Sequence, residues 1–200
     1  MYRIILNVSK LLVIIIFLFM VFSYGFYFKK GKNNNKENKM AISLIICSKW
    51  EVYRERGDFY LKRKRFIGTP MTGELLSRCA KKTYETYGVF IPVELALSQA
   101  QWESGMGRFG RSPVTNPFNL GEYSNKTVLR YKTIEEGVQS YYDLIATNYL
   151  YYGKRTLKKV FDSNFRDKNG YCYASSDTYG ERIEKQYNYI IIYINNNLKK

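Results

Sequence analysis

The 200-residue chain contains no histidine, and this absence removes every His-based catalytic triad and every metal site that needs imidazole. Neither a metal nor a cofactor is expected. Cysteine is scarce, with three residues. Cys47 follows Leu44 in a pattern faintly like a lipidation site, but Ile46 is too large for the preceding position, so Cys47 reads as a buried thiol. Cys79 and Cys172 are either two free thiols or, in an exported domain, a disulfide. Acidic residues are the minority charge, 17 against 32 Lys and Arg. Residues 1–70 hold 14 of the bases and 4 of the acids, leaving 18 and 13 downstream. Such a basic tail suits an anionic surface, whether nucleic acid, acidic lipid headgroups or anionic wall polymer, without choosing among them.

What is present begins with an uncharged run, "LLVIIIFLFMVFSYGFYF", residues 11–28. It meets the lower length limit for a spanning helix. Ser23 and Gly25 also form the small-x-small pair of a cleavable signal, so segment 1–30 is an anchor or a signal, the unbroken apolar run favouring an anchor. Five lysines between 29 and 39 outnumber Arg3 and Lys10 and favour a cytoplasmic downstream side, although long domains cross largely regardless of such charge. "KKGKNNNKENK" reads as a solvated linker. Within 31–70, "MAISLIICSKWEVY" reads as a strand or short docking helix, and "LKRKR" (Leu61 to Arg65) as a solvated or wall-facing segment.

From residue 71 the periodicity is helical. Leu75, Leu76, Cys79 and Ala80 share one face of a helix that Gly88 would cap. Pro92 suits the first turn of the next helix. There Val93, Leu95, Ala96, Leu97, Ala100 and Trp102 are apolar nearly all round, as in a core helix that Gly105 and Gly107 stop. Glu103 falls in its last turn. The negative end of the helix dipole and the apolar surroundings both favour the protonated carboxyl. An acid kept protonated near neutral pH is what glycoside cleavage needs of a proton donor, whereas the plainer reading is a Glu bonded to amides of the glycine turn. Thr133 and Glu136 in "TIEE" form a capping box, which assigns Glu136 no chemistry. Val138, Tyr142, Ile145 and Tyr149 mark one face of the helix that follows. Ile183, Tyr187, Ile190, Ile191 and Ile194 do so for a last helix, Thr178 to about Asn195. Most of the 20 Tyr and 12 Phe are expected in the core.

Over residues 72–195 the order of motifs resembles the glucosaminidase family of bacterial cell-wall hydrolases, in the lysozyme superfamily. The resemblance rests on "GVFIPVELALSQAQWESGMGRFGRSPVTNPFNLGEY", on "VLRYKTIEEGVQSYYDLI" and on "YCYASSDTYGERI". It implies an α+β, mainly α, lysozyme-like domain over 71–197 with a small β-hairpin lobe. The implied activity is hydrolysis of the glycan strand of peptidoglycan, as an endo-β-N-acetylglucosaminidase held at the membrane on the wall side, or secreted if the signal is cleaved. Carried over by position, Glu103 matches the catalytic acid and Tyr173 the active-site tyrosine, with Asn116, Phe118 and Tyr179 as candidate substrate contacts. Asn116 also suits turn chemistry and Phe118 core packing. Glu122, on the hairpin, is the candidate second carboxylate; otherwise the substrate's own N-acetyl group would serve. Asn119 stands where the family has glycine, and Ser176 and Asp177 where it has Asp-Pro. The alternatives are a wall-binding module without catalysis and a basic nucleic-acid-binding membrane protein, although no specific nucleic acid is expected.

Overall fold

The structure is a computed structural model that describes residues 35–109, 113–122 and 127–198, with side chains undescribed at 35–47 and at Glu122. The membrane-directed segment 11–28 and the side chain of Cys47 therefore lie outside the described residues. The chain divides into Met1–Ile45 and Ile46–Lys200. The second unit is described below. Among the described residues 57% are helix and 3% strand, in keeping with the α-rich expectation. No helix among the described residues is long and apolar enough to cross a membrane.

Helix α1, Asn35–Arg63, decides between the strand and the helix left open for residues 40–53 in favour of a helix, and a longer one than expected. Its charges hid the pattern. Trp50, Tyr53, Tyr60 and Leu61 are buried at helical spacing, with Glu51, Arg54, Glu55 and Lys62 on the solvent side. Lys62 and Arg63 end the helix, where cations suit the exposed carbonyls. Helix α2, Gly73–Tyr87, begins where Thr72 Oγ1 accepts from Leu75 N at 3.0 Å and Asp58 Oδ1 accepts from Gly73 N at 2.6 Å. The two helices meet glycine on glycine. A Cβ on Gly73 would lie 2.1 Å from the Arg54 carbonyl oxygen, and one on Gly57 would lie 2.9 Å from the Gly73 Cα. Gly88 closes α2 with φ 68°, the left-handed cap expected of it.

Helix α3, Val93–Ser104, is buried at every position from Val93 to Ala100. Pro92 is its N-cap, one position outside the helix. Trp102 departs from the expected core helix, for it is 49% exposed and lies under the Arg182 guanidinium, 5.4 Å from the ring centre. The burial ends one turn earlier than the apolar count suggests. Beyond α3 a hairpin of two short strands, β1 Gly121–Glu122 and β2 Thr127–Val128, pairs Gly121 with Val128 and Glu122 with Thr127. Helix α4, Ile134–Leu144, runs into a wider π turn, Ile145–Tyr149. Thr133 caps it, accepting from Glu136 N at 3.1 Å, while Glu136 Oε2 reaches back to Lys132 N at 2.8 Å. Val138, Tyr142, Ile145 and Tyr149 are all buried. A short α5, Leu157–Val160, leads through a loop to α6, Tyr179–Asn197, which buries Ile183, Ile190 and Ile194. Helix α3 packs chiefly against α6, and α2 against α4.

Gly137 marks where α4 rests on the loop before the hairpin, since a Cβ there would sit 1.9 Å from the Thr115 carbonyl oxygen. Gly88, by contrast, has open space around it and only its positive φ to protect. We expect Gly137→Ala to cost about 2–3 kcal/mol through overpacking and Gly88→Ala about 1 kcal/mol through left-handed strain. Thermal melts of the two variants check the order; equal losses would mean that the Thr115 contact is not close.

Candidate active site

Two glycines and a serine set the end of α3 and hence the direction of Glu103. Gly105 caps the helix with φ 56°, and the exposed ring of Phe109 packs where its Cβ would be. Ser104 Oγ donates to the Pro117 carbonyl at 2.5 Å and accepts from Gly107 N at 2.7 Å. The helix end is thereby tied to the loop that precedes the hairpin. That loop is held in turn by Asn116, whose Nδ2 donates to Leu120 O and Leu129 O, each at 2.8 Å, and whose Oδ1 accepts from Leu120 N at 3.0 Å. Asn116 is fully buried with its amide engaged by backbone, which is turn chemistry and leaves no donor for a ligand.

Glu103 is half-buried at this junction. Its Oε1 accepts the Tyr179 hydroxyl at 2.6 Å, and Asn119 Nδ2 lies 3.5 Å from its Oε2. Asn119 occupies the left-handed region, φ 52°, which asparagine tolerates better than other side chains. Behind Tyr179, Gln99 Nε2 donates to the tyrosine oxygen at 3.3 Å, and Gln99 Oε1 accepts the Tyr141 hydroxyl at 2.6 Å. Burial raises the pKa of Glu103, opposed by the hydrogen bonds from Tyr179 and Asn119, which favour the carboxylate. Burial wins. The phenol of Tyr179 is itself held well above its ordinary pKa, first by burial and then by the neighbouring Glu103, so it stays a donor.

The residues expected at the site are not equally near it. Tyr173 reaches the acid only through Tyr179, on which its ring stacks at 5.5 Å, while its hydroxyl donates to Phe118 O at 3.1 Å. Tyr179 is buried and bonds the acid directly. Phe118 is fully buried and stacks on Tyr141 at 3.6 Å, beneath the site and out of a ligand's reach. Glu122 lies in β1, but its side chain is outside the described residues. Gln99 and Tyr141 escaped the sequence reading. Gln99 precedes Glu103 by four residues and so shares its helix face, a signal that was there to be read. Tyr141 lies 42 residues away in sequence, and only the fold brings it there.

Cys79 and Cys172 are both free thiols. Burial pushes the Cys79 thiol up to about 12, which removes it as a nucleophile. No group of side chains able to hold a metal ion occurs among the described residues. Neither protein-family models nor curated proteins match the chain.

A carboxyl whose folded pKa is raised stabilises the fold only while protonated, and that contribution is lost as pH rises through the folded value. Glu103→Gln is therefore expected to raise the melting temperature at pH 7 by roughly 2–4 °C, the effect of about 1 kcal/mol in a chain of this size. The gain should vanish below the ordinary carboxylate range, where the wild-type acid is protonated folded or unfolded. Calorimetry across pH reads both; a pH-independent difference would mean that carboxylate burial is not its cause.

Proposed function

We propose that the chain is a peptidoglycan hydrolase that cleaves the glycan strand, with Glu103 as the general acid. The observation that carries this reading is a half-buried carboxyl whose pKa is raised by burial, at the end of a core helix and beside a short hairpin. The α-rich architecture with one two-stranded lobe supports a lysozyme-like assignment. The motif order supports the glucosaminidase family within it, and from that family comes the choice of an endo-β-N-acetylglucosaminidase.

In the proposed reaction the Glu103 proton passes to the glycosidic oxygen as the bond to the anomeric carbon breaks; the oxocarbenium-like centre, stabilised from the other side of the sugar, is finally taken by water, whose proton returns to the Glu103 carboxylate. Glu122, on the strand that follows the loop anchored by Ser104 and Asn116, is the protein's candidate to stabilise that centre; the substrate's N-acetyl oxygen is the other. Tyr179 holds the carboxyl in place and stabilises the carboxylate left after proton transfer. Tyr173 supports Tyr179 through the ring stack. The exposed faces of Trp102 and Phe109 offer apolar surface to sugar rings on either side of the acid in sequence. The basic amino-terminal third would hold the enzyme against anionic membrane or wall polymer.

Purified protein incubated with peptidoglycan is expected to release fragments with new reducing-end N-acetylglucosamine, and Glu103→Gln to reduce the rate by about 10²–10⁴-fold. Muramic reducing ends or anhydro-sugars would keep the acid and change the bond assigned. Tight glycan binding without turnover by the wild-type protein would replace the enzyme with a wall-binding module. Salt-sensitive DNA binding without wall binding would replace both.

A further inference from the structure

Three phenol and amide groups lead from the core to Glu103, and the chemistry of the innermost one gives them a direction. The Tyr141 hydroxyl is fully shielded from water, and its partner is Gln99 Oε1 at 2.6 Å. The Tyr141 ring lies flat on Phe118 and edge-on to Tyr142, at 3.6 and 5.2 Å between ring centres. A buried phenol has one hydrogen and must place it on an acceptor. Were the Gln99 amide reversed, it would donate to Tyr141 and leave that hydrogen among aromatic rings with no acceptor. The Gln99 oxygen therefore faces Tyr141 and its nitrogen faces Tyr179.

The direction of donation continues outward. The Tyr179 oxygen receives the Gln99 N–H, and its own single hydrogen points to Glu103 Oε1 at 2.6 Å. We propose that Tyr141 and Gln99 are positioning residues that fix the direction of proton donation along Tyr141, Gln99 and Tyr179, so that Oε1 of Glu103 is always an acceptor and the transferable proton resides on Oε2. Neither residue touches substrate. Oε2 is the oxygen on the Asn119 side, where the contact is long at 3.5 Å. After proton transfer the carboxylate finds a donor already aimed at it, with no hydrogen in the chain needing to reverse. The direction of the chain stands on geometry alone, whereas its catalytic consequence rests on the hydrolase reading.

The test is a carbon-13 NMR titration of the Glu103 carboxyl in the full-length protein and in Tyr141→Phe, Gln99→Leu and Tyr142→Phe. Tyr142 is an equally buried phenol on the same helix that bonds to the Tyr53 hydroxyl at 2.7 Å instead of to this chain. Removing the Tyr141 hydroxyl releases the Gln99 amide to turn, so that Tyr179 points to Glu103 only part of the time and the carboxylate is less stabilised. The midpoint is expected to move to higher pH in Tyr141→Phe, to move less in Gln99→Leu, where leucine offers Tyr179 no acceptor to compete with Glu103, and to stay in place in Tyr142→Phe. The alkaline limb of the pH–rate profile should move with it, because a general acid works only while protonated. No shift in Tyr141→Phe, a larger shift in Gln99→Leu than in Tyr141→Phe, or an equal shift in Tyr142→Phe would overturn the proposal. Shifted midpoints in a protein that turns over no peptidoglycan would uphold the directed chain and remove the hydrolase.

Discussion

Eight consecutive residues of α3, Val93 to Ala100, are shielded from water, and the rest of the second unit is arranged to make that possible. A helix buried on all sides needs neighbours on all sides. It also needs partners for whatever polar groups it carries inside, since an unpartnered buried donor or acceptor is costly. Glu94, Ser98 and Gln99 are those groups. The Arg56 guanidinium of α1 pairs with Glu94 at 2.5 Å, and Ser98 Oγ bonds the Leu95 carbonyl at 2.8 Å. Gln99 is answered by Tyr141 from α4 and Tyr179 from α6. Satisfying one glutamine in the core thus brings two phenols together, and the outer of these meets Glu103.

The acid is the product of opposed influences whose sum depends on position. About two and a half turns earlier in the helix, Glu94 is more enclosed, yet it lies in an ion pair with Arg56 that balances its charge. At Glu103 burial is incomplete and its partners are neutral, a phenol and an amide. Neutral donors stabilise a carboxylate less than a guanidinium does, so desolvation prevails and the proton is retained more strongly than in water. The same helix therefore carries one carboxyl committed to structure and another that can give up a proton.

How much of this was legible depends on the range of the interaction. The caps at Gly88 and Thr133, the α4 face from Val138 to Tyr149, and Glu103 at the end of a buried helix were readable because each is a local pattern. Helix α1 was not, because charged residues between Trp50 and Leu61 dilute the apolar face, and what fixes it is Gly57 against Gly73, a contact with no local signature. Trp102 reads as core in the sequence because composition counts apolar residues without showing where a helix emerges. Asn116 was legible as a turn residue; that its amide would serve Leu120 and Leu129 together needs the hairpin. The distinction between Tyr173 and Tyr179 could not be drawn from spacing, since it depends on which phenol projects past the other ring toward α3.

The hairpin's link to the helical body bears on how the proposed second carboxylate is held. β1 and β2 are two residues each, too short to be stable by their own pairing. Their placement comes from the root instead. Leu129 N bonds Leu120 O at 2.9 Å, Asn116 fastens both strands' root carbonyls, and Ser104 fastens Pro117 to the turn that ends α3. Gly121 permits the strands to close, since a Cβ there would lie 2.6 Å from the Thr127 carbonyl oxygen. Glu122 is one residue beyond Gly121, so its backbone position is set by the same serine that sets the last turn of Glu103's helix. A change at Ser104 or Asn116 would therefore alter the relation between the two carboxylates without touching either.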